Sequence, residues 1–445
     1  MPSPPNDPGL SAEFINEWNT AAPQERTLDV AWFFAPDEAP QQNTRLTIGS
    51  GRLLDVSAVP QADQSTVLPV AVIPPLVNPH VHLEFSGLAH PLTPAVPFPD
   101  WIRSVIRWRM KHSEQLEHDI LTGLAESGRH TVSAIGEITT SDTAIDILEE
   151  SGQCGVSFRE LLGILPDQIP DQLEILEQHL NRLAGPAEAE RLAAGISPHA
   201  TYSVHPELLS AAVDASRHHA VPVAMHIAES ADELELLDRG TGRFAEFLQE
   251  MNVWDRRVFR PGGRILSYLE QLSRASFPLA VHCNYLTEQE IRFLGQHPEI
   301  AVVYCPRTHR YFGHASHPWT RILAAGGSVI LGTDGRSSNP DLSIWREFQY
   351  AGQLEQSIPI PELIPLITTN AARALGLRTD EQSLKPGGSL SATLIRLPRD
   401  AVRSPESLLD PETIPVATLT ADQEIVRMMA AGEDSNTDRS RIGSD

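Results

Sequence analysis

Two histidines one residue apart, His80 and His82, close an apolar run reading VIPPLVNPHVH. Side chains two positions apart on a strand project to the same side, so both imidazoles would face one mouth. Imidazole nitrogen suits zinc and other borderline divalent ions. His226 lies in VPVAMHIAE, and Glu229 follows three residues later. At a turn from strand to helix, Glu229 could overhang an ion held by His226 and move a proton between water and a leaving group. The bland reading of Glu229 is a solvated carboxylate at a helix start, where the dipole favours an anion. His282 lies in PLAVHCNY and Asp334 in SVILGTDG. A carboxylate directly after an apolar run is costly to bury unless it pairs or binds metal. A lone buried histidine such as His282 is more commonly a hydrogen-bonded core residue. The combination decides between these readings. Of 17 histidines, five (His80, His82, His199, His226 and His282) fall at the ends of expected strands.

The elements that would position them form a pattern. From about Leu76 short apolar runs alternate with longer amphipathic stretches, the mark of a parallel α/β fold. Eight such runs occur: VIPPLVNPHVH, TVSAIGEIT, GVSFREL, AAGISPHA, VPVAMHIAE, PLAVHCNY, AVVYCPRT and SVILGTDG. Continuous apolar character is expected of strands buried on both faces. Eight strand–helix units suit a (β/α)8 barrel, and the polar residues gather at the C-terminal strand ends where barrel enzymes carry their chemistry. The expected architecture is therefore α/β: a TIM-like barrel over 76–376, with a small β-sandwich built from both chain ends, 26–75 and 377–433. The stretches 1–25 and 434–445 read as loosely ordered.

Composition narrows the function further. Hydrophobic residues make up 41% of the 445 and charged residues 21%, enough for a substantial core. A net charge of −24 repels polyphosphate backbones and argues against a nucleic-acid polymer as partner, leaving a small molecule. The most apolar early segment, 68–77, contains three prolines and is too short for a bilayer, so no membrane partner is expected. The three cysteines, Cys154, Cys283 and Cys305, form no disulfide framework and no paired zinc site. That usage, with no signal-peptide pattern at the start, points to a reducing cytoplasm. The sequence leaves a homodimer open.

These residues carry a resemblance. The segment Pro75-Leu76-Val77-Asn78-Pro79-His80-Val81-His82-Leu83-Glu84, followed by His226-x-x-Glu229, His282 and Gly332-Thr333-Asp334, resembles the amidohydrolase superfamily. The likeness is to the single-metal branch that contains nucleobase and nucleoside deaminases and the triazine chlorohydrolases. It implies that His80, His82, His226 and Asp334 hold one divalent ion, zinc first and iron second. It also implies that Glu229, His282 and Asp334 are catalytic, moving protons and orienting water, and that His199 contacts substrate. Two-metal members bridge their ions with a carbamylated lysine on the fourth strand. The only lysines here are Lys111 and Lys385, neither in a barrel run, so one metal is expected.

Finer motifs, HLEFS at 82–86, FPDWI at 98–102 and YCPRTHRYFGH at 304–314, resemble aminodeoxyfutalosine deaminases of the futalosine route to menaquinone. That implies hydrolytic release of ammonia from 6-amino-6-deoxyfutalosine or a related adenosine nucleoside. Guanine- or S-adenosylhomocysteine-type deamination and triazine hydrolysis are the alternatives on the same ligand set, and a catalytically silent barrel is a remote one. Trp101 could stack on a substrate ring or simply pack. Arg159 could reach a substrate carboxylate through its bidentate fork, or pair with a nearby acid. Thr201 stands where the pattern commonly has proline, and Gly335 where it commonly has serine.

Overall fold

The structure is a computed structural model, and it describes residues 10, 12–20, 25–183, 192–378, 384–398, 404–421 and 425–427. The eight apolar runs become eight parallel strands: Leu76–Val81, Val132–Thr139, Cys154–Leu161, Leu192–Pro198, Val223–Ile227, Pro278–His282, Ala301–Tyr304 and Ser328–Leu331. They pair strictly in chain order. First and last strands meet through Asp334, whose N–H donates to the His80 carbonyl at 3.1 Å. Beside it the Asn78 amide donates to Thr333 Oγ1 at 2.7 Å, and the Thr333 N–H donates to Asn78 Oδ1 at 3.2 Å. The ring is thus drawn shut at the mouth by residues next to the candidate ligands.

Strand alternation sorts the side chains into two layers. Val77, Ala134, Ile138, Val156, Phe158, Val281 and Val303 fill the barrel interior. The other parity packs outward against the helices, as Ile135, Ile196, Ile227 and Leu331 do. Burying each such side chain contributes about 1.5–3 kcal/mol, so the interior is a packed plug and the open space lies above it.

Both chain ends contribute to a separate seven-stranded mixed sheet. Its order is Ile425–Arg427, Ile414–Leu419, Ala392–Arg396, Leu68–Ile73, Arg26–Phe33, Gln41–Gly49, Arg52–Ala58. Leu68–Ile73 is the junction, parallel to Arg26–Phe33 and antiparallel to Ala392–Arg396. Only Pro74 and Pro75 separate it from the first barrel strand. Part of the stretch expected to be a loose arm is a helix, Ala12–Thr20, whose Ile15 and Trp18 bury against this sheet's core. Asn19 holds it there by a hydrogen-bond pair with the Ile425 backbone at 2.9 and 3.1 Å. The polar tail 434–445 lies outside the described residues. Among the described residues no helix is long and apolar enough to cross a membrane.

Candidate active site

Four imidazoles and one carboxylate converge over the interior plug. The His80 ring centroid lies 5.0 Å from those of both His82 and His226 and 5.9 Å from that of His282. Asp334 Oδ1 is 3.8 Å from His80 Nε2 and 3.5 Å from His82 Nε2. Two groups of three have ligand atoms within 4.8 Å of one another: His80, His226 and His282, and His80, His82 and Asp334. His80 belongs to both. The four ligands expected from sequence therefore meet at one place, with His282 as a fifth donor beside them.

The donor set fits a divalent cation. Both ring nitrogens of His80 and Nδ1 of His82 are buried with no hydrogen-bond partner, a cost of roughly 1–3 kcal/mol per group that a bound cation would relieve. His226 contacts the His199 carbonyl through Nδ1 at 2.8 Å; donation there leaves Nε2 as the free lone pair. Burial first, and neighbouring imidazoles second, hold His80, His82 and His282 well below the ordinary histidine range. Burial likewise lowers His226 to about 4. All four rings are thus neutral, the form that ligates. Burial raises Asp334 to about 6, against the hydrogen bonds it accepts from Ser338 Oγ at 2.7 Å and the Gly335 N–H at 2.8 Å.

Glu229 is positioned by a turn that its sequence encodes. The fifth strand ends at Ile227, Ala228 takes a left-handed φ of 52°, and Ser230 caps the helix Ala231–Arg239 in a capping box with Glu233. The buried Glu233 carboxylate accepts the N–H groups of Ala228 at 2.8 Å and Glu229 at 2.7 Å, and the Thr201 hydroxyl at 2.6 Å. Thr201, the departure noted in the sequence, is thereby absorbed into holding the turn. The Glu229 carboxyl reaches to 3.3 Å from His282 Nε2. Burial, then the nearby Asp334, raise it well above the usual carboxylate range, which favours the protonated acid. His282 and Asp334 also have left-handed φ, 70° and 59°; such conformations cost of order 1–3 kcal/mol each and cluster where side chains must be aimed. Gly335 has a steric reason: a Cβ there would meet the His82 Cβ at 3.0 Å and the Phe85 ring at 3.1 Å.

A cavity of about 340 Å³ opens onto these groups, lined at its inner end by His82, His199, His226, Glu229, His282 and Asp334. Its walls are largely apolar, among them Ile102, Ile106, Leu162, Phe247 and Met251. Trp101 lines it too, but its ring also packs 5.3 Å from Phe98 and edge-on to Phe312, with Nε1 donating to the Ser337 carbonyl at 3.3 Å. Arg159 does not reach the cavity. It points to the outer face of its strand and pairs with Asp142 at 3.2 Å, because the alternation that turns Val156 and Phe158 inward also turns Glu160 inward. Glu160 lines the cavity, and so does Arg109 from the helix Phe98–Lys111. Sequence reasoning missed both. The parity of the strand would have found Glu160. Nothing in the spacing separates Arg109 from Arg103 and Arg107 on the same helix. His309 sits in the helix Pro306–Phe312, outside the cavity lining, while His314 bonds the Tyr285 hydroxyl at 2.8 Å.

Comparison with known proteins matches this architecture. The aminodeoxyfutalosine deaminase of Deinococcus radiodurans is 28% identical over 330 residues, covering 69% of this chain and 74% of that one. Among solved structures, the aminofutalosine deaminase of Helicobacter pylori superposes with a TM-score of 0.73 at 18% identity, covering 91% of this chain and all of that one. An adenosine deaminase from Xanthomonas campestris, solved with bound zinc, superposes with a TM-score of 0.72 at 18% identity over 92% of this chain and 94% of that one. Residues 71–433 match the amidohydrolase family as a whole, and the chain belongs to that family.

Proposed function

We propose that the protein is a metal-dependent hydrolase that replaces the amino group of a purine-type ring with oxygen and releases ammonia. The substrate we assign is 6-amino-6-deoxyfutalosine or a related adenosine nucleoside, in the cytoplasm and on the futalosine route to menaquinone. One observation carries the reaction type: an acid-favouring Glu229 lies 3.3 Å from His282 at the inner end of an apolar cavity, against a cluster of neutral imidazoles and Asp334. The names of the nucleoside-deaminating relatives support the substrate.

His80, His82, His226 and Asp334 hold one divalent ion in this reading, zinc or iron, since three imidazoles and a carboxylate accept either. When bound, such an ion supplies Lewis acidity, bringing the pKa of water in contact with it from 15.7 toward about 7. Asp334 takes the proton of the attacking water. Glu229 delivers its proton to the ring nitrogen, a transfer worth about 10²–10⁴-fold in rate. The proton that Asp334 took from water then goes to the departing amine, which leaves as ammonia while the new hydroxyl returns a proton to Glu229 and becomes the carbonyl. His282 stabilises the charge that develops on oxygen. His199 contacts the ring, and Trp101 offers it an aromatic face. Release of ammonia by zinc-loaded protein is measured on aminodeoxyfutalosine, adenosine and guanine, and release of chloride on a chlorotriazine. Turnover of the adenine nucleosides is expected; turnover of the triazine alone would overturn the assignment.

A further inference from the structure

The cavity holds one acidic group that the reaction above does not use. Glu160 lines it with a side chain only 1% exposed, and neither carboxylate oxygen has a hydrogen-bond partner. A buried charged acceptor without donors is costly, and native proteins rarely leave one unsatisfied. Two polar neighbours stand close, and neither satisfies it. Arg109 Nη2 stands 3.8 Å from Oε2, beyond hydrogen-bond range, because its fork is committed to Glu84 at 2.6 and 3.1 Å. His199 Nε2 stands 3.7 Å from Oε1, likewise beyond hydrogen-bond range. Its own Nδ1 is engaged by the Ser203 hydroxyl at 2.6 Å.

The charges decide what this corner can bind. Two carboxyl groups, Glu84 and Glu160, flank the single guanidinium of Arg109. A ligand carboxylate is therefore repelled, although an arginine lines the wall. Hydrogen-bond donors are attracted. A carboxylate with both oxygens free matches a pair of adjacent donors, one per oxygen, as a vicinal diol presents them. His199 bridges this corner to the metal cluster, its ring centroid 5.1 Å from that of His226. A nucleoside whose base is at the inner end would place its sugar on this side.

We propose that Glu160 is a specificity-determining residue that accepts hydrogen bonds from the 2′- and 3′-hydroxyls of a ribonucleoside. Arg109 and Glu84 hold the charge balance that excludes an anionic group from that position. The inference rests on the deaminase reading and deepens it.

The test uses zinc-loaded Glu229→Gln protein, in which turnover is slowed by about 10²-fold or more, titrated calorimetrically with adenosine, 2′-deoxyadenosine and 3′-deoxyadenosine. Adenosine is expected to bind about 10- to 100-fold more tightly than either deoxynucleoside, the range for hydrogen bonds to a charged acceptor. Adding Glu160→Ala should abolish the difference, weakening adenosine most and each deoxynucleoside by the one hydrogen bond it keeps. Equal affinity for all three nucleosides overturns the assignment of Glu160, and so does discrimination that survives Glu160→Ala. The comparison among nucleosides needs no change at Glu160, so a poorly folded variant does not spoil it. If none of the three binds and the unsubstituted protein releases no ammonia from these or from aminodeoxyfutalosine, the deaminase reading itself falls and takes this inference with it.

Discussion

At the scale of single residues, Glu229 is set apart from the ligands by what holds it. Its position comes from the Glu233 carboxylate gripping the turn beneath it, and its protonation comes from burial. Metal binding and proton transfer are therefore separable. Glu229→Gln keeps the shape and removes the acid, so we expect about one bound ion per chain, unchanged by elemental analysis. The turnover rate should fall by about 10²-fold or more; undiminished turnover would remove Glu229 from the mechanism. The same scale shows where sequence reading ran out. His80, His82, His226, His282 and Asp334 were legible because a polar residue that ends an apolar run has few reasons to be there. Glu160 and Arg159 are neighbours with equal claims on composition, and only the phase of the strand separates the one that faces the cavity from the one paired with Asp142. Arg109 was not legible, since helix spacing alone does not say which of three arginines meets a cavity formed by distant elements.

At the scale of elements, all eight barrel strands were readable, because burial on both faces leaves an unbroken apolar run that a helix stripe does not imitate. The N-terminal helix was not readable. Its Ile15 and Trp18 gain their burial from strands that lie far along the chain, so the local sequence looks merely polar. Helix-to-strand docking also carries a pH dependence. His179, in the helix Ile169–Arg182, contacts the Ser157 carbonyl of the third barrel strand through Nε2 at 2.9 Å. Burial lowers it from 6.5 to about 4. Its folded pKa is thus depressed, and the unfolded chain binds a proton before the folded one does. The resulting loss of stability begins as pH falls below about 6.5 and grows until about 4. At pH 4.5 it amounts to about 2–3 kcal/mol at 1.36 kcal/mol per unit. His179→Gln keeps a donor for Ser157 and cannot titrate. Between pH 7 and 4.5 its urea midpoint should drop less than that of the unsubstituted protein; parallel drops would show that His179 does not contribute.

At the scale of the whole molecule, the candidate ligands come from the first, fifth and eighth barrel strands, so a cation shared among them joins the first and eighth, which ring closure makes neighbours, to the fifth across the barrel. The closing contacts are few: the Asp334 N–H to the His80 carbonyl, and the Asn78–Thr333 pair. Without a cation, the same place holds buried imidazole nitrogens with no partner and a carboxylate pushed up to about 6. Binding only to the folded state stabilises it by about 4 kcal/mol when the free ion stands at 1,000 times its Kd. That gain belongs to the barrel, because the seven-stranded sheet contributes no candidate ligand among the described residues and keeps its own core around Val30, Val72 and Leu394. Removing metal with a chelator should therefore lower hydrogen-exchange protection at Asp334, Thr333 and the end of the fifth strand. Protection in Arg26–Phe33 and Leu68–Ile73 should stay the same, and readding zinc should restore the barrel amides. A uniform loss across both sheets would mean that the cation supports the fold as one cooperative unit, and no change in either would mean that these side chains do not hold one at all.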